Sequence, residues 1–203
     1  MSVSLTLAPA DRWSPRTLGT LAMLGSPMLL LSVVFPTVGA TRAQGAAAGL
    51  LGLLYLLGWG CALVAIRQLG AMGSGAAARR VWWVQMALLA GALAFSVEET
   101  LAGGFARAPF PLLDVCWPLA HTFLLVTGAV VARAGVWRGW RRWAVLVPGF
   151  KIPMLALLVA AGLPAPVNSG GRGVAGTIQV AYAACAFLAL GWAVRTAGDR
   201  PAR

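Results

Sequence analysis

The stretch Ala46–Ile66, AAAGLLGLLYLLGWGCALVAI, carries no charged residue and lies between Arg42 and Arg67. As a helix rising 1.5 Å per residue it is about 31 Å long, which matches the hydrocarbon thickness of a bilayer. Similar apolar runs occupy residues 17–38, 81–101, 112–133, 143–163 and 174–195, with this one at 46–66. Of the 203 residues, 60% are hydrophobic and only 10% charged, and the mean hydropathy is +0.81. A soluble domain is closer to 45–50% apolar. The predicted fold is therefore all-α, a single domain over 1–203 forming an integral membrane bundle of six transmembrane helices.

The net charge of +11 comes from fifteen arginines and one lysine against five acids. In a soluble protein it would point to nucleic acid, but its placement here points to a membrane. Arg12, Arg16, Arg67, Arg79, Arg80, Arg133, Arg138, Arg141, Arg142, Arg195, Arg200 and Arg203 fall on one side of the predicted spans. Only Arg42, Arg107 and Arg172 fall on the other. The positive-inside rule then puts both termini in the cytoplasm and the chain in the plasma (inner) membrane. Trp13, Trp82, Trp83, Trp137, Trp140 and Trp143 cluster at the same predicted boundary, where amphipathic rings anchor helices. Membrane lipids, with anionic lipid at the cytoplasmic face, are the expected partners, and nucleic acid is not. A homodimer is a further expectation, because a bundle of six helices is small for a complete transport pathway.

Cys61, Cys116 and Cys185 each lie in a different predicted helix and form no CxxC pair. With a single histidine in the chain, neither a metal site nor a bis-histidine haem can be assembled. No cofactor is expected, and the cysteines read as small packing residues. Val38-Gly39-Ala40 has the look of a signal-peptide cleavage site, but the apolar run before it is too long, so an uncut first helix is expected. Arg42, Arg107 and Arg172 are evenly spaced, and Gly49/Tyr55 is echoed by Gly176/Tyr182. Equal bilayer crossings account for this spacing without a true repeat.

Chemistry concentrates between Ser96 and His121, SVEETLAGGFARAPFPLLDVCWPLAH, which holds Glu98, Glu99, Asp114 and the only histidine. Asp114, Trp117 and His121 are spaced i, i+3, i+7 and share a helical face. Gln179 and Tyr182 share a face of the last helix by the same rule, and Tyr55 is a further polar lining residue. Of the two adjacent glutamates, Glu98 is expected to face inward, because Ala87, Gly91 and Ala94 suit a close-packed face. Lys151, the only lysine, lies about 12 Å in from the cytoplasmic side. A charge at the bilayer centre costs about 2.5–3.5 kcal/mol on insertion scales, so Lys151 is expected to pair with a carboxylate, shed its proton or face water, or else to reach inward along its stem. His121 reads first as a core histidine bonded to a tyrosine or a carbonyl.

The paired glutamates resemble those of glutamate-pair intramembrane proteases. The EExxxR pattern of that family fails here, with Gly103 at the arginine position and no further histidines. Retinal proteins share a buried lysine but need a seventh helix to carry it. The leading functional expectation is binding or transport of a small solute or lipid-like molecule through an outward-facing polar cavity. Glu98, Asp114, Trp117, His121, Lys151, Gln179 and Tyr182 would line it. The alternatives are an intramembrane enzyme acting on a lipid or isoprenoid, and a non-catalytic membrane partner or assembly factor.

Overall fold

A computed structural model describes residues 13–32, 35, 40–104, 109–164 and 173–198. Pro36, the Val38-Gly39 segment, Arg12, Arg107, Arg172, Arg200, Arg203 and the linker 165–172 lie outside the described residues. Seven α-helices run α1 (Pro15–Leu31), α2 (Arg42–Gln68), α3 (Ala76–Ala102), α4 (Cys116–Ala134), α5 (Arg141–Ala144), α6 (Lys151–Ala160) and α7 (Val174–Ala197). There is no strand among the described residues.

Among the described residues, five segments are long and apolar enough to cross a membrane: Arg42–Gln68, Ala76–Ala102, Leu112–Ala134, Arg141–Ala160 and Val174–Ala197. The chain is a multi-pass membrane protein. The first helix, expected over 17–38, ends at Leu31 after 17 residues, with Ser32 as its C-cap. Its start follows the sequence closely: Ser14 caps it by accepting from the Thr17 amide at 3.1 Å, and Pro15 sits where no amide is needed. At the head of α2, Thr41 and Gln44 form a reciprocal capping box, which moves the start four residues ahead of the apolar run.

The fifth crossing is not the continuous helix expected over 143–163. It comprises α5, a 3-10 turn at Val147–Phe150 and α6. Pro148 lies in the turn and Pro153 just beyond it, so two amides are missing where an unbroken helix would use them. The fourth crossing likewise opens with a 3-10 turn, Pro111–Val115.

Successive crossings pack antiparallel, and the last returns to the first. The described contacts join α1 to α2, α2 to α3, α3 to α4, α4 to the broken fifth leg, that leg to α7, and α7 to α1. Where backbones come closest, at least one side is often a glycine. At the α1–α2 crossing, a Cβ on Gly25 would lie 2.9 Å from the Gly58 Cα, and a Cβ on Gly58 would lie 2.9 Å from the Gly25 Cα. Neither can be accommodated without moving backbone, so the two glycines set the helix separation. Gly58→Leu is therefore expected to lower stability by about 1–3 kcal/mol, read as a fall of several degrees in the detergent melting temperature. Gly60→Ala, whose Cβ would meet only the flexible Leu89 side chain at 3.4 Å, serves as the neutral control.

Candidate functional site

Three legs converge near mid-bundle. Tyr55 of α2 is 1% exposed, and His121 of α4 is fully buried. Lys151, first residue of α6, is 5% exposed. The Tyr55 hydroxyl lies 2.8 Å from His121 Nε2, and His121 Nδ1 lies 2.8 Å from the Trp117 carbonyl oxygen. A carbonyl only accepts, so Nδ1 carries the proton; in the neutral ring Nε2 then accepts from Tyr55. The Lys151 Nζ approaches the same Nε2 at 3.4 Å. This ring nitrogen is thus addressed by donors from α2 and α6 while its own helix holds the opposite side.

Aromatic rings enclose the group. Trp117 and His121 stack with centroids 5.1 Å apart, and Tyr55 stacks on Trp117 at 5.7 Å. Trp59 lies 4.6 Å from His121, and Phe187 presents its edge to Tyr55 at 5.1 Å. The Lys151 ammonium sits 4.8 Å from the Trp117 ring centroid and 5.9 Å from that of Tyr55. A ring face attracts a cation by its quadrupole, by about 2 kcal/mol when water is excluded. Within the same cluster, the Trp59 indole N–H is buried without a hydrogen-bond partner.

Of the candidates read from sequence, the structure brings Trp117, His121, Lys151 and Gln179 together. Gln179 Nε2 donates to the Lys151 carbonyl oxygen at 3.5 Å, tying α7 to the start of α6. Tyr182 is used one turn away: its hydroxyl donates to the Val147 carbonyl at 2.6 Å, at the interruption of the fifth leg. That carbonyl is among those freed by the break, so Tyr182 serves the backbone. Tyr55 is buried and Tyr182 half-buried, so the two members of the apparent repeat occupy unlike surroundings.

Glu98 stands apart from this cluster in its hydrogen bonding. Its Oε1 accepts from the Phe110 amide and closes the α3–α4 connection. Glu98 and Glu99 are both intermediate in exposure, while Ala87 and Ala94 are exposed. The close-packed face expected to carry Glu98 inward is therefore not formed by those alanines. Asp114 is half-buried in the 3-10 turn before α4. The tighter winding of that turn removes the helical register assumed for Asp114, Trp117 and His121, and the carboxyl is outside the Tyr55–His121–Trp117 chain of bonds.

Two buried groups carry more than the sequence reading gave them. Gln85 of α3 is fully buried; its Nε2 donates to the Ala120 carbonyl at 3.1 Å, and its Oε1 accepts from Thr127 at 3.0 Å. It fixes the height of α4, and so of His121, against α3. The signal was present as a lone amide inside an apolar helix. Trp59 is the other, a 1% exposed indole against the imidazole. Among the described residues no group of three His, Cys, Asp or Glu side chains is placed to hold a metal ion. Cys61 and Cys116 are partly buried, and Cys185 is exposed instead of packed. A shallow apolar hollow lined by Trp13, Leu18, Cys61, Val64 and Gln68 lies at the other side of α1 and α2, and shares no residue with the polar cluster.

Gln85→Leu should lower stability by about 1–3 kcal/mol, because it strands the Thr127 hydroxyl in an apolar interior. Adding Thr127→Val should recover part of that loss, since both partners are then apolar. Thermal melts of the two single variants and the double variant measure the coupling.

Compared with known protein families, with curated proteins and with solved structures, the chain matches none.

Proposed function

We propose that this protein binds, and passes through its bundle, a small solute or lipid-like molecule, with Tyr55, Trp117, His121 and Lys151 as the contact point. The observation that carries the reading is the interrupted fifth leg. A helix broken within the membrane exposes backbone groups and costs stability unless the break serves a purpose. Here the residue that follows the break is a lysine, 5% exposed, whose ammonium reaches a histidine. Discontinuous helices that deliver polar groups to mid-membrane are a recurrent way of building a transport site. In this scheme Lys151 and Tyr55 both address His121 Nε2, and a ligand acceptor competes with that nitrogen for the lysine protons. Trp117 and Trp59 supply the apolar walls. The chain crosses six times, α1 included, with both termini on the cytoplasmic side of the plasma membrane, as the arginine asymmetry implies.

A second reading, a non-catalytic membrane partner, draws support from one fact. Tyr55, Gln85, His121, Thr127 and Gln179 all find hydrogen bonds inside the bundle. Those five groups are satisfied without a ligand, and the Trp59 indole N–H of the same cluster is not.

Native mass spectrometry of the detergent-purified protein separates the two. The transport reading expects a retained small molecule that is lost in Lys151→Met and reduced in Tyr55→Phe, with both variants still folded by circular dichroism. Bare protein mass in the wild type, together with no transport phenotype for Lys151→Met, would leave only the partner reading. For the orientation, a single-cysteine variant at Gly75, on the α2–α3 turn, should resist a membrane-impermeant thiol reagent in intact cells and react after lysis.

A further inference from the structure

The chain between α4 and α5 is unusual in composition and in how it is held. Residues 133–143 read RAGVWRGWRRW, four arginines and three tryptophans with no acid. Gly135 and Gly139 have φ of +67° and +62°, left-handed values that glycine adopts without strain; the first caps α4 and the second lies in the turn before α5. The segment is pinned from beneath. Trp137 is 6% exposed and Val145 fully buried, so the connection is seated on the bundle. The Trp137 indole is thus packed on the bundle and not turned outward.

Pinning these residues turns the others outward. Arg133, Arg138 and Arg142 are exposed, and Trp140 and Trp143 are 51% and 46% exposed. Arg142 lies with its guanidinium carbon 4.7 Å from the Trp143 ring centroid. Stacking occupies the face of a guanidinium and leaves the in-plane N–H donors open, the geometry that suits a phosphate. The turn after α2 meets the end of α4, where a Cβ on Gly73 would touch Ala134 at 3.7 Å. Exposed Arg79 and Arg80 follow that turn, so the basic surface is continuous across two connections.

The described acids are at the wrong end to neutralise it. Glu98, Glu99 and Asp114 sit where α3 ends and α4 begins. The nineteen-residue step from Asp114 to Arg133 corresponds to roughly 28 Å of helix, several Debye lengths at physiological salt. Of the remaining acids, Asp11 and Asp199 fall on the basic side of the predicted spans, against twelve arginines there, so the surplus of positive charge is left for an external anion. In a multi-pass membrane protein a connection between two crossings meets the lipid headgroup region, which offers phosphate to arginine and acyl boundary to indole at one depth; stacked bases are the competing partner for exposed indoles such as Trp140 and Trp143.

We propose that the Arg133–Trp143 connection is a binding site for the phosphodiester headgroup of an anionic phospholipid. Arg138, Arg141 and Arg142 contact the phosphate, and Trp140 and Trp143 flank the glycerol backbone. The site is independent of the polar cluster around His121.

The test is titration of the full chain, purified in neutral detergent, with phosphatidylglycerol or phosphatidylcholine, read by native mass spectrometry and by melting temperature. Phosphatidylglycerol should bind and raise the melting temperature, and phosphatidylcholine should do so much less. The triple variant Arg138→Gln, Arg141→Gln, Arg142→Gln should weaken phosphatidylglycerol binding roughly 100-fold, about fivefold per arginine. The corresponding triple change to lysine should bind more tightly than the glutamine triple, and Arg42→Gln at the opposite end should bind like the wild type. Equal binding of both lipids, or a glutamine triple that binds phosphatidylglycerol as the wild type does, would overturn the proposal. So would a short single-stranded DNA that displaces phosphatidylglycerol from the wild type, since the surface would then be a general polyanion site.

Discussion

A hydrocarbon interior gives a polar group no partner except another part of the protein, and the arrangement of this bundle follows from that constraint. Tyr55, Gln85, His121, Thr127 and Lys151 are each answered from a different helix, and the Trp59 indole N–H is left without a partner. His121 of α4 meets Tyr55 of α2 and Lys151 of α6, while Gln85 of α3 meets Thr127 and the Ala120 carbonyl of α4. Tyr182 of α7 answers a carbonyl at the break in the fifth leg. These bonds set relative heights that apolar packing alone leaves loosely specified, because leucines slide along one another at little cost. Glycine crossings set the lateral spacing, and the polar bonds set the vertical one.

Charge is divided just as sharply. Nine of the described arginines lie at one end of the bundle, and Glu98, Glu99, Asp114 and Arg42 lie at the other. The division keeps the described acids at the opposite end from every described arginine except Arg42. At the acidic end Glu98 is spent on a backbone amide, so it organises a connection. At the basic end Arg67 and Arg142 lie against Trp82 and Trp143. Aromatic faces do there what carboxylates do in a soluble protein, holding long cationic side chains in place without cancelling their charge.

The apolar runs made the helical membrane architecture legible, since hydropathy over twenty residues leaves few alternatives. The polar centre was legible in part. The reading of His121 as a core histidine bonded to a tyrosine or a carbonyl is met on both counts, whereas the approach of Lys151 to a histidine was not read from the sequence, which pointed to a carboxylate. What failed did so for local reasons. Asp114 was placed by a 3.6-residue period in a segment that winds as a 3-10 turn. Pro148 and Pro153 marked the fifth leg, but hydropathy averages across a break without sensing it. Trp137 was read as an anchor like its neighbours because composition cannot tell a pinning indole from an anchoring one. Trp59 was passed over because an indole in an apolar helix is ordinary until its neighbour is known to be an imidazole.

The second half of the fifth leg has a mechanical character of its own. Lys151 is the only buried residue of α6, and Leu157 is 70% exposed. The helix is fastened at its root, by the lysine side chain and the Gln179 bond to the lysine carbonyl, with few side chains buried further along. Such a segment behaves as a cantilever about 15 Å long. By geometry alone, a rotation of about 4° at the root would carry the far end by roughly an ångström. A change of hydrogen-bond partner at Lys151 that turned this root would therefore register as displacement at the outer side of the bundle.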